Sequence, residues 1–343
     1  MALLHIDGVS HYANNDLAKK WSSSWPPGFP NAQFPVDGTA PRRSGSKHIR
    51  MGVSGVWVDK AFAGAQTIIV GFALKQTLHQ AFRLYFRDAN GAQNTLLTNT
   101  DGSMSITRGI ESGTVLGTSV AGLLLTDAWQ YIEVKIYIHA SAGTIAIHLN
   151  GVNVLTVSSL NTQGSSSLEI TNIRFHCQTG SGYVFVTDIY IASGTGGTVT
   201  NFVGDCRVDL LLPSGAGGLT EWTPSIGVNY QCIDDSGDIN DDLDYVASED
   251  VGARDCYTFD DLSALGIIIH GVAVTIASRK VVEGTRAITP FARIGSTAYD
   301  GAEQYQGTTY ACYQHIWEQN PAITAAWTEA TVNAAQFGMK ISV

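Results

Sequence analysis

Trp129-Gln-Tyr-Ile-Glu-Val-Lys-Ile-Tyr-Ile138, followed after a three-residue break by Ala142-Gly-Thr-Ile-Ala-Ile-His-Leu-Asn-Gly-Val-Asn-Val-Leu155, decides the fold class. In the first run Ile132, Val134, Ile136 and Ile138 alternate with Tyr131, Glu133, Lys135 and Tyr137, the period of two that a half-buried strand imposes. The aliphatic set faces a core and the polar set faces outward, Glu133 included. After a turn at Gly143 the period resumes with Ile145, Ile147 and Leu149. Asn150-Gly151 then supplies the two positive-φ residues of a tight hairpin. Two consecutive hairpins are predicted.

The same grammar extends in both directions. Short apolar or alternating runs at 48–58, 65–74, 82–88, 103–109 and 114–125 precede the hairpins, and runs at 168–175 and 183–192 follow, each bounded by Gly, Asn or Asp. These strands make one sandwich over residues 49–192. Residues 1–48 mix Trp21, Trp25 and Phe29 with several prolines and read as an irregular docking segment whose aromatic residues are interface candidates. Residues 193–201 are a Gly-rich linker. A second β domain occupies 202–343, with strands at 267–278, 285–294 and 308–317 and a short helix over 327–335 capped by Thr328. The fold class is therefore all-β: two sandwich domains with a short C-terminal helix.

Composition agrees. The 343 residues are 44% hydrophobic and only 15% charged, which suits two packed cores and excludes a disordered chain. The 36 glycines suit many tight turns. A net charge of −10 opposes nucleic-acid binding. The basic clusters Arg42-Arg43 with Lys47 and Arg50, and Arg279-Lys280, lack interleaved aromatics. No run of about 18 apolar residues marks a membrane span, and the first residues lack the pattern of a signal peptide. Cys177, Cys206, Cys232, Cys256 and Cys312 are scattered and odd in number, so buried thiols are expected. Four of them fall in the second predicted domain, which leaves a late disulfide open.

Two resemblances follow from these residues. The order W-x-x-I-E-V-x-I, a Gly turn, I-x-I-x-x-N-G-x-x-V, a strand ending I-x-F and V-T-D-I-Y-I resembles the second half of concanavalin/laminin-G-like jelly rolls and covers residues 49–192. That fold hosts lectins, glycanases and inert modules alike, so it implies no single function. The phrases G-D-C-R-V-D-L-L-L-P-S-G-A-G, T-E-W-T-P-S, Y-V-A-S-E-D-V-G-A-R-D and I-W-E-Q-N-P resemble tailed-bacteriophage proteins described as structural or tail-associated. The resemblance implies a virion component of the tail, collar or capsid surface, made in the bacterial cytoplasm, oligomeric and bound to other virion proteins.

The site candidates are sparse. Asp235, Asp238, Asn240 and Asp242 offer oxygens for Ca²⁺, but position twelve counted from Asp235 is Val246 where a calcium loop needs a bidentate Glu, and a solvated loop is the favoured reading. Glu133 lacks the second carboxyl of a glycosidase, and no nucleophile elbow, paired-histidine or phosphate-loop motif occurs. No enzyme activity and no cofactor are expected. Trp57, Tyr85, Tyr131 and Tyr137 are the aromatic residues that would stack on sugar rings. The leading expectation is a structural virion protein acting through protein contacts, and the alternative is a module that binds host glycans.

Overall fold

The computed structural model describes residues 2–28, 35–39, 41–52, 54–178, 182–235, 239, 242–263 and 266–343. Two compact units emerge: Met1–Ser10 with Trp21–Val208, and His11–Lys20 with Asp209–Val343. Phe29, Asp238 and Asn240 lie outside the described residues.

The strands of the first unit run β1 (Leu3–Asp7), β2 (Ser23–Trp25), β3 (Val36–Asp37), β4 (His48–Met51), β5 (Trp57–Ala65), β6 (Thr67–Gln76), β7 (Phe82–Asp88) and β8 (Gly91–Thr98). They continue with β9 (Met104–Arg108), β10 (Thr114–Thr118), β11 (Gln130–Tyr137), β12 (Gly143–Leu149), β13 (Val152–Leu160), β14 (Ile170–Cys177) and β15 (Val184–Ala192). Two antiparallel sheets result. The first has the order β13-β12-β11-β6-β15-β4-β3, with β1 also on β15, and the second β10-β9-β8-β7-β14-β5-β2. Ile132, Val134 and Ile136 of β11 are fully buried as expected, but Tyr131 and Glu133 on the opposite side of the strand are buried as well. Phe72 of the first sheet meets Phe82 and Phe175 of the second at ring separations of 5.4 and 5.2 Å, which closes the core between the layers. Asn150 and Gly151 adopt φ of 51° and 79° between the paired Leu149 and Val152, the tight hairpin expected.

Three elements depart from the sequence reading. Residues 1–48 are not merely an irregular docking segment, because β1 to β4 extend both sheets and Trp21 is buried with its indole N–H donating to Asp7 and its ring edge-on to Phe175. Trp21 is thus a core anchor rather than an interface candidate. The run 48–58 is two strands, since the chain leaves the first sheet after Met51 and enters the second at Trp57. The expected linker, residues 193–201, and residues 202–208, expected to open the second domain, both belong to the first unit.

In the second unit the strands are β16 (Pro213–Thr220), β17 (Thr223–Pro224), β18 (Val246–Ala247), β19 (Arg254–Phe259), β20 (Val272–Ser278), β21 (Ala287–Ile294), β22 (Thr297–Asp300), β23 (Gln304–Tyr305), β24 (Ala311–Trp317) and β25 (Gln336–Ile341). A six-stranded sheet of order β16-β19-β25-β21-β22, with β23 on β21, faces the β20-β24 ribbon. Trp317, Trp327 and Phe337 fill the space between, against Val272 and Val274. Helix α1 (Leu17–Lys20) packs on β24. Helix α2 (Glu329–Asn333) begins where expected, with the Thr328 side chain accepting from the Thr331 N–H. Among the described residues no helix is long and apolar enough to cross a membrane.

Candidate functional site

A sandwich presents two outer faces, and in the first unit they differ. On the first sheet the polar side of β11 is covered by the chain itself. Glu133 points away from the core as its parity requires, yet it is fully buried rather than solvent-facing. One of its carboxylate oxygens accepts from the Tyr190 hydroxyl at 2.6 Å and from the Val203 and Gly204 N–H groups at 2.8 and 3.1 Å. Phe202 lies against His148 with ring centroids 3.9 Å apart, and Lys135 donates to the Thr200 carbonyl. Gly71 makes room for Tyr190: a Cβ there would sit 2.0 Å from the tyrosine ring.

Tyr131 is buried in the same layer, donating to the Asp188 carbonyl and lying 2.8 Å from the Cys206 sulfur. Arg42 and Arg43 both pair with the buried Asp188, and Arg42 also reaches Asp205. The basic cluster is therefore neutralised internally. Burial pushes the Cys206 thiol up to about 12, which removes thiolate chemistry at neutral pH. The five cysteines are thiols rather than disulfides, and Cys206 belongs to the first unit while Cys232, Cys256 and Cys312 belong to the second. Tyr131 consequently cannot touch a glycan. Tyr137, stacked 5.9 Å from His139, lies on this sheet too.

The outer face of the second sheet carries the other two glycan candidates. Strands β2, β5, β14 and β7 are adjacent, and their register aligns Trp25 with Trp57, Trp57 with His176, and His176 with Arg83. Two residues along, a parallel row aligns Ser23, Asp59, Arg174 and Tyr85. Val58, Phe175 and Leu84, between these positions, fill the core. Trp25 is 53% exposed, Trp57, Arg83, Tyr85, Arg174 and His176 are half-buried, and the row spans about 14 Å from Trp25 to Arg83 at strand spacing.

The face is held by charge and ring contacts. Arg174 grips Asp59 through two N–H bonds of 2.7 and 2.9 Å, and its guanidinium lies 3.4 Å from the centre of the Trp57 ring. Arg87 approaches the same Asp59 at 3.5 Å. The Tyr85 hydroxyl donates to Glu111 at 2.9 Å, and its ring meets His176 edge-on at 5.7 Å. Burial and the bond to Glu111 push the tyrosine hydroxyl well up. Burial, then the neighbouring Arg174 and Arg83 charges, bring the His176 imidazole down to about 4, so it is neutral at physiological pH. The Nε of Arg83, the Nδ1 of His176 and the side-chain oxygen of Asn172 are buried without a hydrogen-bond partner.

Sequence reasoning selected Trp57, Tyr85 and Trp25 but not Arg83, Arg87, Arg174, His176, Asp59 or Glu111. Its available signal was the alternation in Phe82–Asp88 and in Ile170–Cys177, which puts these arginines and the histidine opposite the core residues. Of the weighed cation-loop residues, Asp238 and Asn240 lie outside the described residues. Asp242 pairs with Arg279 and accepts from Tyr310, and among the described residues no cluster of three His, Cys, Asp or Glu is arranged to hold a metal.

No protein-family model and no curated protein sequence matches the chain. Several solved structures are similar to part of the chain. The alginate lyase Aly36B has 12% identity and a TM-score of 0.39, over 55% of this chain and 96% of that one. The carbohydrate esterase vb_24B_21 from Shiga toxin-encoding bacteriophage phi24B has 12% identity and a TM-score of 0.36, over 55% and 99%. The Caenorhabditis elegans galectin LEC-6 has 14% identity and a TM-score of 0.30, over 41% and 94%.

The covered face gives the first prediction. Glu133→Ala strands three buried donors and lowers the unfolding free energy of the first unit by about 2 kcal/mol, measured by urea denaturation; a change below about 0.5 kcal/mol would contradict the covered geometry. The open face gives the second. An NMR titration finds His176 protonating near pH 4, and Arg174→Gln moves that value upward by removing a nearby positive charge. Because the folded value lies below the unfolded one of about 6.5, His176 draws stability down as pH falls from about 6.5 to 4 and no further below that. A histidine titrating at 6.5 would contradict this description.

Proposed function

We propose that this chain is a non-catalytic accessory component of a bacteriophage particle that binds host-surface carbohydrate through the Trp25, Trp57, His176 and Arg83 face of its first unit. The observation that carries this reading is the open row itself. Exposed Trp25 supplies flat apolar surface for a sugar ring, with Trp57, covered on one face by Arg174, beside it, and fixed polar groups supply orientation. The phage-like phrases of residues 202–343 support placing the module on a virion.

Binding without turnover agrees with the side-chain pairing. Hydrolysis of a glycosidic bond calls for an acid and a base or nucleophile free to exchange protons. Asp59 is instead held by Arg174, the Tyr85 hydroxyl is committed to Glu111, and Glu133 is sealed under residues 202–204.

A role in contacts with other virion proteins has its own support in the second unit. Around the β17-β18 pair, Ile226, Val228, Leu243 and Tyr245 are exposed, with Ser225 and Tyr245 joined through the backbone. Ile267 and Ile268 are exposed as well. Apolar side chains grouped at a surface mark partner contacts.

The test is interferometry of the full chain on immobilised host-envelope polysaccharides. Wild-type protein binds, Trp25→Ala weakens binding about tenfold, and no shortened product accumulates on long incubation. Absence of binding to any host polysaccharide, unchanged binding by the variant, or chain shortening would each overturn the reading.

A further inference from the structure

Arg83 differs from the other guanidinium groups on this face. Arg174 and Arg87 share Asp59, and Glu111 accepts from Tyr85. Among the described residues no carboxylate hydrogen-bonds to Arg83, although the Glu111 charge is close enough to act on it and on His176: one terminal nitrogen donates to the carbonyls of Gln80, Phe82 and Thr98, and its Nε is buried and unpaired. Directly across the β7-β14 pairing stands His176, whose Nδ1 is also unpaired. Side chains opposed in an antiparallel pair have Cβ atoms about 5 Å apart, so the half-buried Arg83 and His176 stand side by side on the open face.

We infer, resting on the carbohydrate reading above, that the ligand is an acidic glycan whose anionic oxygens dock on Arg83 beside His176 while adjacent sugar rings lie on Trp57 and Trp25. A planar guanidinium suits either a carboxylate or a phosphate. The neutral imidazole contributes a hydrogen bond rather than a charge. The chain as a whole carries −10 and repels polyanions, so selectivity for an acidic sugar rests on this local cation rather than on the global field.

The experiment titrates the full chain with three soluble probes of matched length: an oligogalacturonate, a phosphomannan oligomer and a neutral cello-oligosaccharide, each at 50 and 500 mM NaCl. One of the acidic probes binds at least tenfold more tightly than the neutral one at low salt, and the advantage shrinks at high salt. Which acidic probe wins identifies the anion. Arg83→Gln brings the acidic-to-neutral ratio towards one, and Arg83→Lys, which keeps charge without the fork, falls between. Thermal midpoints check that both variants fold; if either does not, the salt dependence of the wild-type ratio decides. Equal affinity for acidic and neutral probes, or an unchanged ratio in a folded Arg83→Gln, overturns the inference alone. Failure to bind host polysaccharide in the preceding experiment overturns the carbohydrate reading on which it rests.

Discussion

The alternation of side chains along β14 governs both the core and the exposed face of the first unit. Ile173, Phe175 and Cys177 point inward, so Arg174 and His176 must point outward, and antiparallel pairing on both sides carries that parity into β5 and β7. A slip of one residue would drive a guanidinium into the space that Phe175 fills against Phe72 and Phe82. Burying an unpaired charge there costs several kcal/mol, so the apolar core enforces the register. The row from Trp25 to Arg83 is a by-product of that enforcement: residues from four strands far apart in sequence come into line because their neighbours must share a core.

The two outer faces show how one architecture reaches opposite ends. On the first sheet, the backbone N–H groups of Val203, Gly204 and Val208 and the side chains of Arg42 and Arg43 meet Glu133 and Asp188, turning a surface into a second buried layer in which the second Glu133 oxygen stays without a partner. Its polar groups stabilise the fold and are out of reach of a ligand. On the second sheet the chain leaves the aromatic and cationic groups half-open, pairing most of them with one another but leaving Arg83 and His176 incomplete.

How much of this was legible in the sequence depended on the range of the determining interaction. The hairpins around Gly143 and Asn150-Gly151 are local, set by alternation and turn chemistry, and they stand where expected, as does the Thr328 cap. β8 escaped notice because Gly91-Ala-Gln-Asn-Thr shows little apolar alternation; the side chains of its buried Asn94 and Thr95 donate to the carbonyls of Thr107 in β9 and Gly109 just after it. The parity of Glu133 was readable, but its burial was not, since it depends on Val203 and Gly204 returning seventy residues later. Trp21 read as a loose anchor because proline-rich surroundings hide that β1 and β2 join separate sheets. Trp57 and Tyr85 were selected one by one as aromatic residues. Their company with His176, Arg174 and Arg83 required knowing that β14 lies between β5 and β7, a pairing that no local pattern encodes.

The central claim is that the ligand meets the row on the second sheet rather than the covered layer or the second unit. The most direct measurement is an NMR titration of the isotopically labelled chain with host-envelope polysaccharide, following indole N–H and imidazole resonances. The account requires the Trp25, Trp57 and His176 signals to move together and saturate, with Trp317 and Trp327 still. Saturating shifts confined to the second unit, with Trp25 and Trp57 unmoved, would contradict it.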